Sequence, residues 1–212
     1  MGIFYFPCNF VYWQKVDNHD KIKEILVPKI EHLRATRFKD NKKGLVNAST
    51  NYTGDDINTI FTGEHNMIKH IVWDPIDSAL NKINSRSNTK PINFQESVIG
   101  NSWYTYYEID GKFDYHSHYN GMSLFQNEKS YRPTLSLIYI LRDENEENAT
   151  NFMETAHERI STTNEIETNF YTGDEDDINE GCVLIFPSSL YHMVNQVKIP
   201  GRITIAINIF SR

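Results

Sequence analysis

Histidine, aspartate and arginine recur in this chain at spacings that suit a metal ion and an anion. In Phe113-Asp114-Tyr115-His116-Ser117-His118-Tyr119-Asn120 three side chains able to ligate a metal fall two residues apart. Extended backbone would send Asp114, His116 and His118 to one face of a strand. A further histidine closes the segment Phe186-Pro187-Ser188-Ser189-Leu190-Tyr191-His192, where an apolar strand running into a Pro-Ser-Ser turn would set His192 at the mouth of a core. Two segments far apart in the chain would then share one ion, in a site that only folding assembles. Imidazoles suit divalent iron, zinc, copper and nickel, so ligand type leaves the metal open. Taken alone, His116 and His118 are also compatible with an exposed polar strand face near a turn.

Downstream of His192 stands Arg202, within Gly201-Arg202-Ile203-Thr204-Ile205-Ala206-Ile207-Asn208-Ile209. Arg202 and Thr204 are two residues apart on an extended segment. They face the same side and can hold a carboxylate with a guanidinium fork and a hydroxyl. An arginine in an otherwise apolar strand is costly unless paired; its alternative partner is a structural acid such as Asp110 or Asp114.

The elements that must position these residues fall into two kinds. Ile3 to Trp13 is aromatic and β-branched and reads as one strand bent at Pro7. Asp17-Asn18 then offers a cap to a helix over roughly 19–34, whose Ile22, Ile25, Leu26, Ile30 and Leu33 form an apolar stripe. Pro28 falls inside it and is expected to kink or break it. Arg37 to Gly44 reads as an exposed basic loop. Helical signals resume at Asp55-Asp56 and continue to about residue 84, with a restart at Trp73-Asp74-Pro75, where Asp74 caps and Pro75 takes the first helical position. Ser85 to Thr89 is a polar linker. After Pro91 the pattern becomes short β-type runs, with nearly continuous apolar strands at Thr134 to Leu141 and Gly181 to Phe186. Thr155 to Phe170 fits a helix or a long excursion between strands.

At 212 residues one domain is expected, with supporting elements over 1–90 and the β-structure over 91–212. A hydrophobic content of 39 % with no apolar run of the ~20 residues needed to span a bilayer argues against a membrane protein. The start lacks the basic region of a signal peptide and carries Phe6 where a myristoylation motif needs Ser or Thr, so a cytoplasmic setting is expected. Cys8 and Cys182 lack any CxxC spacing and read as buried thiols. A formal charge of −7 disfavours nucleic acid as a partner, because such binding needs many lysine and arginine contacts to phosphate. The acidic runs beginning at Asp143 and Asp174 read as solvated loops. The substrate, small molecule or protein, is not legible, and a homo-oligomer is compatible with the sequence.

The ordered set Asn101-Ser102-Trp103, His116-Ser117-His118-Tyr119-Asn120, Ser136 to Ile140, Gly181 to His192 and Arg202 to Asn208 resembles the Fe(II)- and 2-oxoglutarate-dependent oxygenases, in particular small members encoded by phages and some bacteria. The resemblance implies a double-stranded β-helix (jelly roll, cupin-like) preceded by buttressing helices. It implies Fe(II) held by His116, His118 and His192, and 2-oxoglutarate bound by Arg202, Thr204 and Tyr104. Most members have Asp or Glu where this chain has His118, and Asp114 is the substitute ligand that would restore a carboxylate. A metal-binding or virion-associated jelly roll without catalysis is the alternative.

Overall fold

In the computed structural model the described residues are 1–5, 9–36, 44–52, 59–85, 97–119, 123–126, 128–145, 150–153 and 169–212. They form the strands β1 (Gly2–Tyr5), β2 (Phe10–Lys15), β3 (Leu45–Thr50), β4 (Ser97–His116), β5 (Leu124–Gln126), β6 (Lys129–Arg142), β7 (Thr150–Met153), β8 (Asn169–Tyr171), β9 (Cys182–Pro187), β10 (Tyr191–Val194) and β11 (Arg202–Ser211). Among the described residues three α-helices precede β4: α1 (His19–Thr36), α2 (His65–Ile68) and α3 (Asp74–Asn84). All three helices lie before residue 90, together with β1, β2 and β3, and β4 to β11 follow it.

The strands pair in the order β1-β2-β9-β6-β11-β4-β10-β7-β8, with β3 added to β4 and β5 to β6. Every pairing is antiparallel. Phe186 of β9 and Phe152 of β7 are far apart along this path, yet their rings lie 4.9 Å apart. The sheet therefore curls until its two ends face each other, which is the expected jelly roll.

β11 explains why one side of the curled sheet is covered by helices. Its Ile203, Ile205, Ile207 and Ile209 join the α1, α2 and α3 side chains Leu26, Ile30, Met67, Ile76 and Ala79 in one buried core. Period-two alternation sends Arg202, Thr204, Ala206 and Asn208 to the opposite face, inside the barrel. The interior is closed by a second apolar cluster, which includes Ile138, Phe152, Leu184 and Phe186. Burial of each of these large side chains stabilises by roughly 1.5–3 kcal/mol.

Several local expectations are corrected. In place of one strand from Ile3 to Trp13 there are two, β1 and β2, paired antiparallel, and Pro7 and Cys8 lie outside the described residues. α1 runs unbroken through Pro28, because that residue lies on the exposed face, where water can satisfy the carbonyl that proline leaves unpaired. Asp74 is no cap: α2 continues through a π-helical segment, Lys69–Trp73, into α3, whose N-cap position is Trp73. β3 lies in a half expected to be helical, apart from its first strand and the 37–44 loop, since its pairing with β4 comes from tertiary contact rather than local pattern. Most of the 37–44 loop, Asp55-Asp56, the linker beyond Ser85 to Thr89, Pro91 and most of 155–170 lie outside the described residues.

Candidate metal centre

β10 runs beside the end of β4, and His192 is the register partner of His116. Between the pairs His192↔His116 and Val194↔Phe113, β10 advances two residues while β4 advances three. The extra residue is a β-bulge, which breaks the alternation expected of this stretch. Phe113 and His116 consequently share a face and stack, with ring centroids 3.8 Å apart and planes inclined by 22°. Asp114 is turned out of that face. Its side chain is 57 % exposed and its carboxylate pairs with Lys112 at 3.1 Å, so it does not join the histidines.

His118 lies beyond the end of β4, in the turn that follows. Its backbone N–H and that of Tyr119 both donate to the carbonyl of Ser188 at 2.9 Å, which fastens the turn to the Pro-Ser-Ser segment leading to His192. The result is a cluster in which His116, His118 and His192 each offer one nitrogen, all within 4.8 Å of one another. Ring centroids are 4.3 Å apart for His116 and His192 and 4.8 Å for His118 and His192. His118 and His192 are buried, between Trp103 and Phe186 in the first case and Phe152 and Phe186 in the second.

Each imidazole also has its proton placed. Nδ1 of His116 donates to the Asp114 carbonyl at 2.8 Å, Nδ1 of His118 to Asn208 Oδ1 at 2.9 Å and Nδ1 of His192 to the Leu190 carbonyl at 3.3 Å. All three acceptors are oxygens, so the neutral rings carry their lone pair on Nε2. This is the arrangement by which an outer partner fixes tautomer and orientation of a metal ligand. An ion with nitrogen ligands at roughly 2.0–2.1 Å sets its donors about 3–3.5 Å apart, so closure on the order of 1 Å would complete coordination. The donor set fits a divalent borderline metal.

Asn208 closes the Arg202 to Asn208 segment that carries the resemblance, but the sequence assigned it no role. Its Oδ1 also accepts from Ser136 Oγ at 2.8 Å, and Ser136 Oγ in turn accepts from Ser188 Oγ at 2.9 Å. Asn208, Ser136 and Ser188 are all buried.

At the other end of the same face of β11, Arg202 is 1 % exposed and Thr204 5 %. The register places Tyr107 opposite Arg202 and Thr105 opposite Thr204. Burial pushes the Tyr107 phenol up, and the nearby Arg202 guanidinium, with the Thr204 and Thr105 side chains, moderates that rise. Tyr104 is turned the other way. It pairs with Ile205 and packs in the helix-side core, so Tyr107 is the tyrosine beside Arg202. The acid that meets Arg202 is neither Asp110 nor Asp114. It is Asp143, whose Oδ2 lies 3.3 Å from Nε with its side chain only 6 % exposed. Asp143 is therefore no part of a solvated loop.

No protein-family model and no curated protein matches the sequence. Solved structures do resemble the fold. OsALKBH1 matches with a TM-score of 0.62 at 14% identity, over 97% of this chain and 99% of that one. A prolyl-4-hydroxylase from Pseudomonas putida matches with a TM-score of 0.54 at 10% identity, over 95% and 92%. HygX from Streptomyces hygroscopicus, solved with nickel and 2-oxoglutarate bound, matches with a TM-score of 0.53 at 10% identity, over 95% and 82%. The chain shares their jelly-roll fold. At such identities the likeness concerns the fold alone, and within that jelly roll the three histidines and Arg202 line one interior. Among the described residues no helix is long and apolar enough to cross a membrane.

Proposed function

We propose that the protein is an Fe(II)- and 2-oxoglutarate-dependent oxygenase that hydroxylates a substrate while 2-oxoglutarate is decarboxylated to succinate. The observation that carries this is the convergence of His116, His118 and His192 inside a barrel whose same interior face presents buried Arg202 and Thr204. Trp103, lying beside His118, pairs with Ala206. His118 also bonds Asn208, so four to six residues of strand, about 13–20 Å, separate the level of the imidazoles from that of Arg202, and the length of the arginine side chain shortens the gap.

His116, His118 and His192 would hold the ion through Nε2. Arg202 would take the far carboxylate of 2-oxoglutarate as a planar fork, with the Thr204 hydroxyl beside it. Phe152, Phe186 and Trp103 exclude water from the imidazoles. Iron(II) bound there would supply the redox chemistry that couples oxygen activation to loss of carbon dioxide. The donor set also favours a second reading, a metal-binding jelly roll without turnover, because three neutral imidazoles leave the ion with more positive charge than a set containing a carboxylate.

Anaerobic titration calorimetry of manganese-loaded protein with 2-oxoglutarate tests the assignment. Wild type is expected to bind it below the millimolar range. Arg202→Met, made together with Asp143→Asn so that no buried charge is left unpaired, is expected to lose that binding while metal affinity stays within a few fold. Equal binding by wild type and variant, or none by either, would refute a role for Arg202 in holding the co-substrate. Succinate formation under air separates an active enzyme from the second reading.

A further inference from the structure

Arg202 is the only buried lysine or arginine among the described residues, and it already has a carboxylate beside it. Asp143 Oδ2 stands 3.3 Å from its Nε, in a contact of ionic rather than aligned hydrogen-bond geometry. Asp143 is held from behind. Its Oδ1 accepts from the backbone N–H of Asn145 at 3.0 Å and from Asn145 Nδ2 at 3.2 Å. Asn145 in turn donates to the Ile199 carbonyl at 2.8 Å and accepts from the Ile199 N–H at 2.6 Å. The turn after β6 is thereby tied to the turn before β11, with the acid fixed against the arginine.

Counting charge in this interior gives a second role for the pair. Among the described residues Arg202 and Asp143 cancel, and imidazoles bind a metal ion in their uncharged form. A divalent ion alone would bring two positive charges into a buried space, and a dicarboxylate alone would bring two negative ones. Together they balance. In the related ligand pattern with an Asp or Glu at the second position, the balancing carboxylate would sit on the metal; here it sits on the arginine.

We propose that Asp143 is the resident counter-ion of Arg202, which keeps carboxylates out of this end of the barrel until an ion occupies the imidazoles. The inference rests on Arg202 being the co-substrate's carboxylate site, as set out above. With its charge neutralised by Asp143, Arg202 offers too little to offset desolvation of an incoming dianion; the ion supplies the remainder, so metal and co-substrate strengthen each other's binding reciprocally.

Calorimetric titration of 2-oxoglutarate and of succinate into wild type and Asp143→Asn, each with EDTA and with Mn(II), reads this directly. Wild type should bind 2-oxoglutarate only with manganese. Asp143→Asn should bind both dicarboxylates in EDTA at least about tenfold more tightly than wild type does, a coupling within the usual range. Asp143→Glu, which keeps the charge, should retain the metal requirement. If Asp143→Asn does not fold, Asn145→Ala keeps both charges but frees Asp143 to move, and should raise metal-free affinity at least about threefold. Metal-free affinity unchanged in these variants, with wild type still binding 2-oxoglutarate in manganese, overturns the counter-ion role and leaves the co-substrate assignment standing. Failure of manganese-loaded wild type to bind 2-oxoglutarate overturns both.

Discussion

Asn208 and Ser136 hold the ligand that departs from the usual pattern. A carboxylate at position 118 would carry its own charge to the metal, whereas His118 depends on the amide of Asn208 for its tautomer and aim. Replacing Asn208 with Leu should leave the Nδ1 proton unsatisfied and let the ring rotate, lowering Mn(II) or Zn(II) affinity by about 10–100-fold. Competition against a chromogenic chelator measures it. Ser136→Ala removes only the second hydrogen bond to the same oxygen and should weaken metal binding less than Asn208→Leu. If the two variants weaken it alike, or Asn208→Leu has no effect, orientation of His118 is set elsewhere.

At the scale of elements, the helix-side core meets the sheet through α1 and a carboxylate. Glu180 pairs with Lys23 of α1, lies 3.3 Å from His19 Nε2, and accepts from the Asp143 backbone N–H at 2.9 Å. Burial alone would raise its carboxyl, but Lys23, the Asp143 amide and His19 outweigh that and hold it below its ordinary value of 4.5. Folding thus favours the charged form, and the contribution is complete above the unfolded value and fades as pH falls through the lowered folded one. Glu180→Gln should cost about 1 kcal/mol at pH 7, the side chain being 26 % exposed, with the difference from wild type shrinking below about pH 4.5. Urea unfolding at several pH values would show it; a gap that widens in acid would contradict the sign. The irregular stretch of β4, which advances five residues between Lys112 and Tyr107 while β3 advances two, gives a second test. A Cβ on Gly111 would lie 2.7 Å from the carbonyl oxygens of Asn47 and Glu108, so Gly111→Ala should lower stability by about 1–3 kcal/mol and shift the strand end that carries His116.

For the whole molecule, the shared burial of Leu26, Ile71, Leu137 and Ile205 in one cluster means that helices and sheet should unfold together. Ile71→Asp, which buries an unpaired charge, should lower the melting temperature in one calorimetric transition at a cost of several kcal/mol; two resolved transitions would show independent units. Local pattern alone determined the helical stripe of Leu26 and Ile30, the apolar strands around Leu137 and Ile185, and the pair Arg202 and Thr204 on one face, because periodicity is a property of neighbouring residues. The histidines His116, His118 and His192 were also legible as ligands, from their types and spacing. Only the tertiary structure decided which neighbours they have. The bulge that expels Asp114 exists because β10 and β4 pair out of step, and the choice of Tyr107 over Tyr104 follows from register across β11. Asn208 and Asp143 meet His118 and Arg202 through a barrel whose closure brings distant segments together, and no local spacing encodes that meeting.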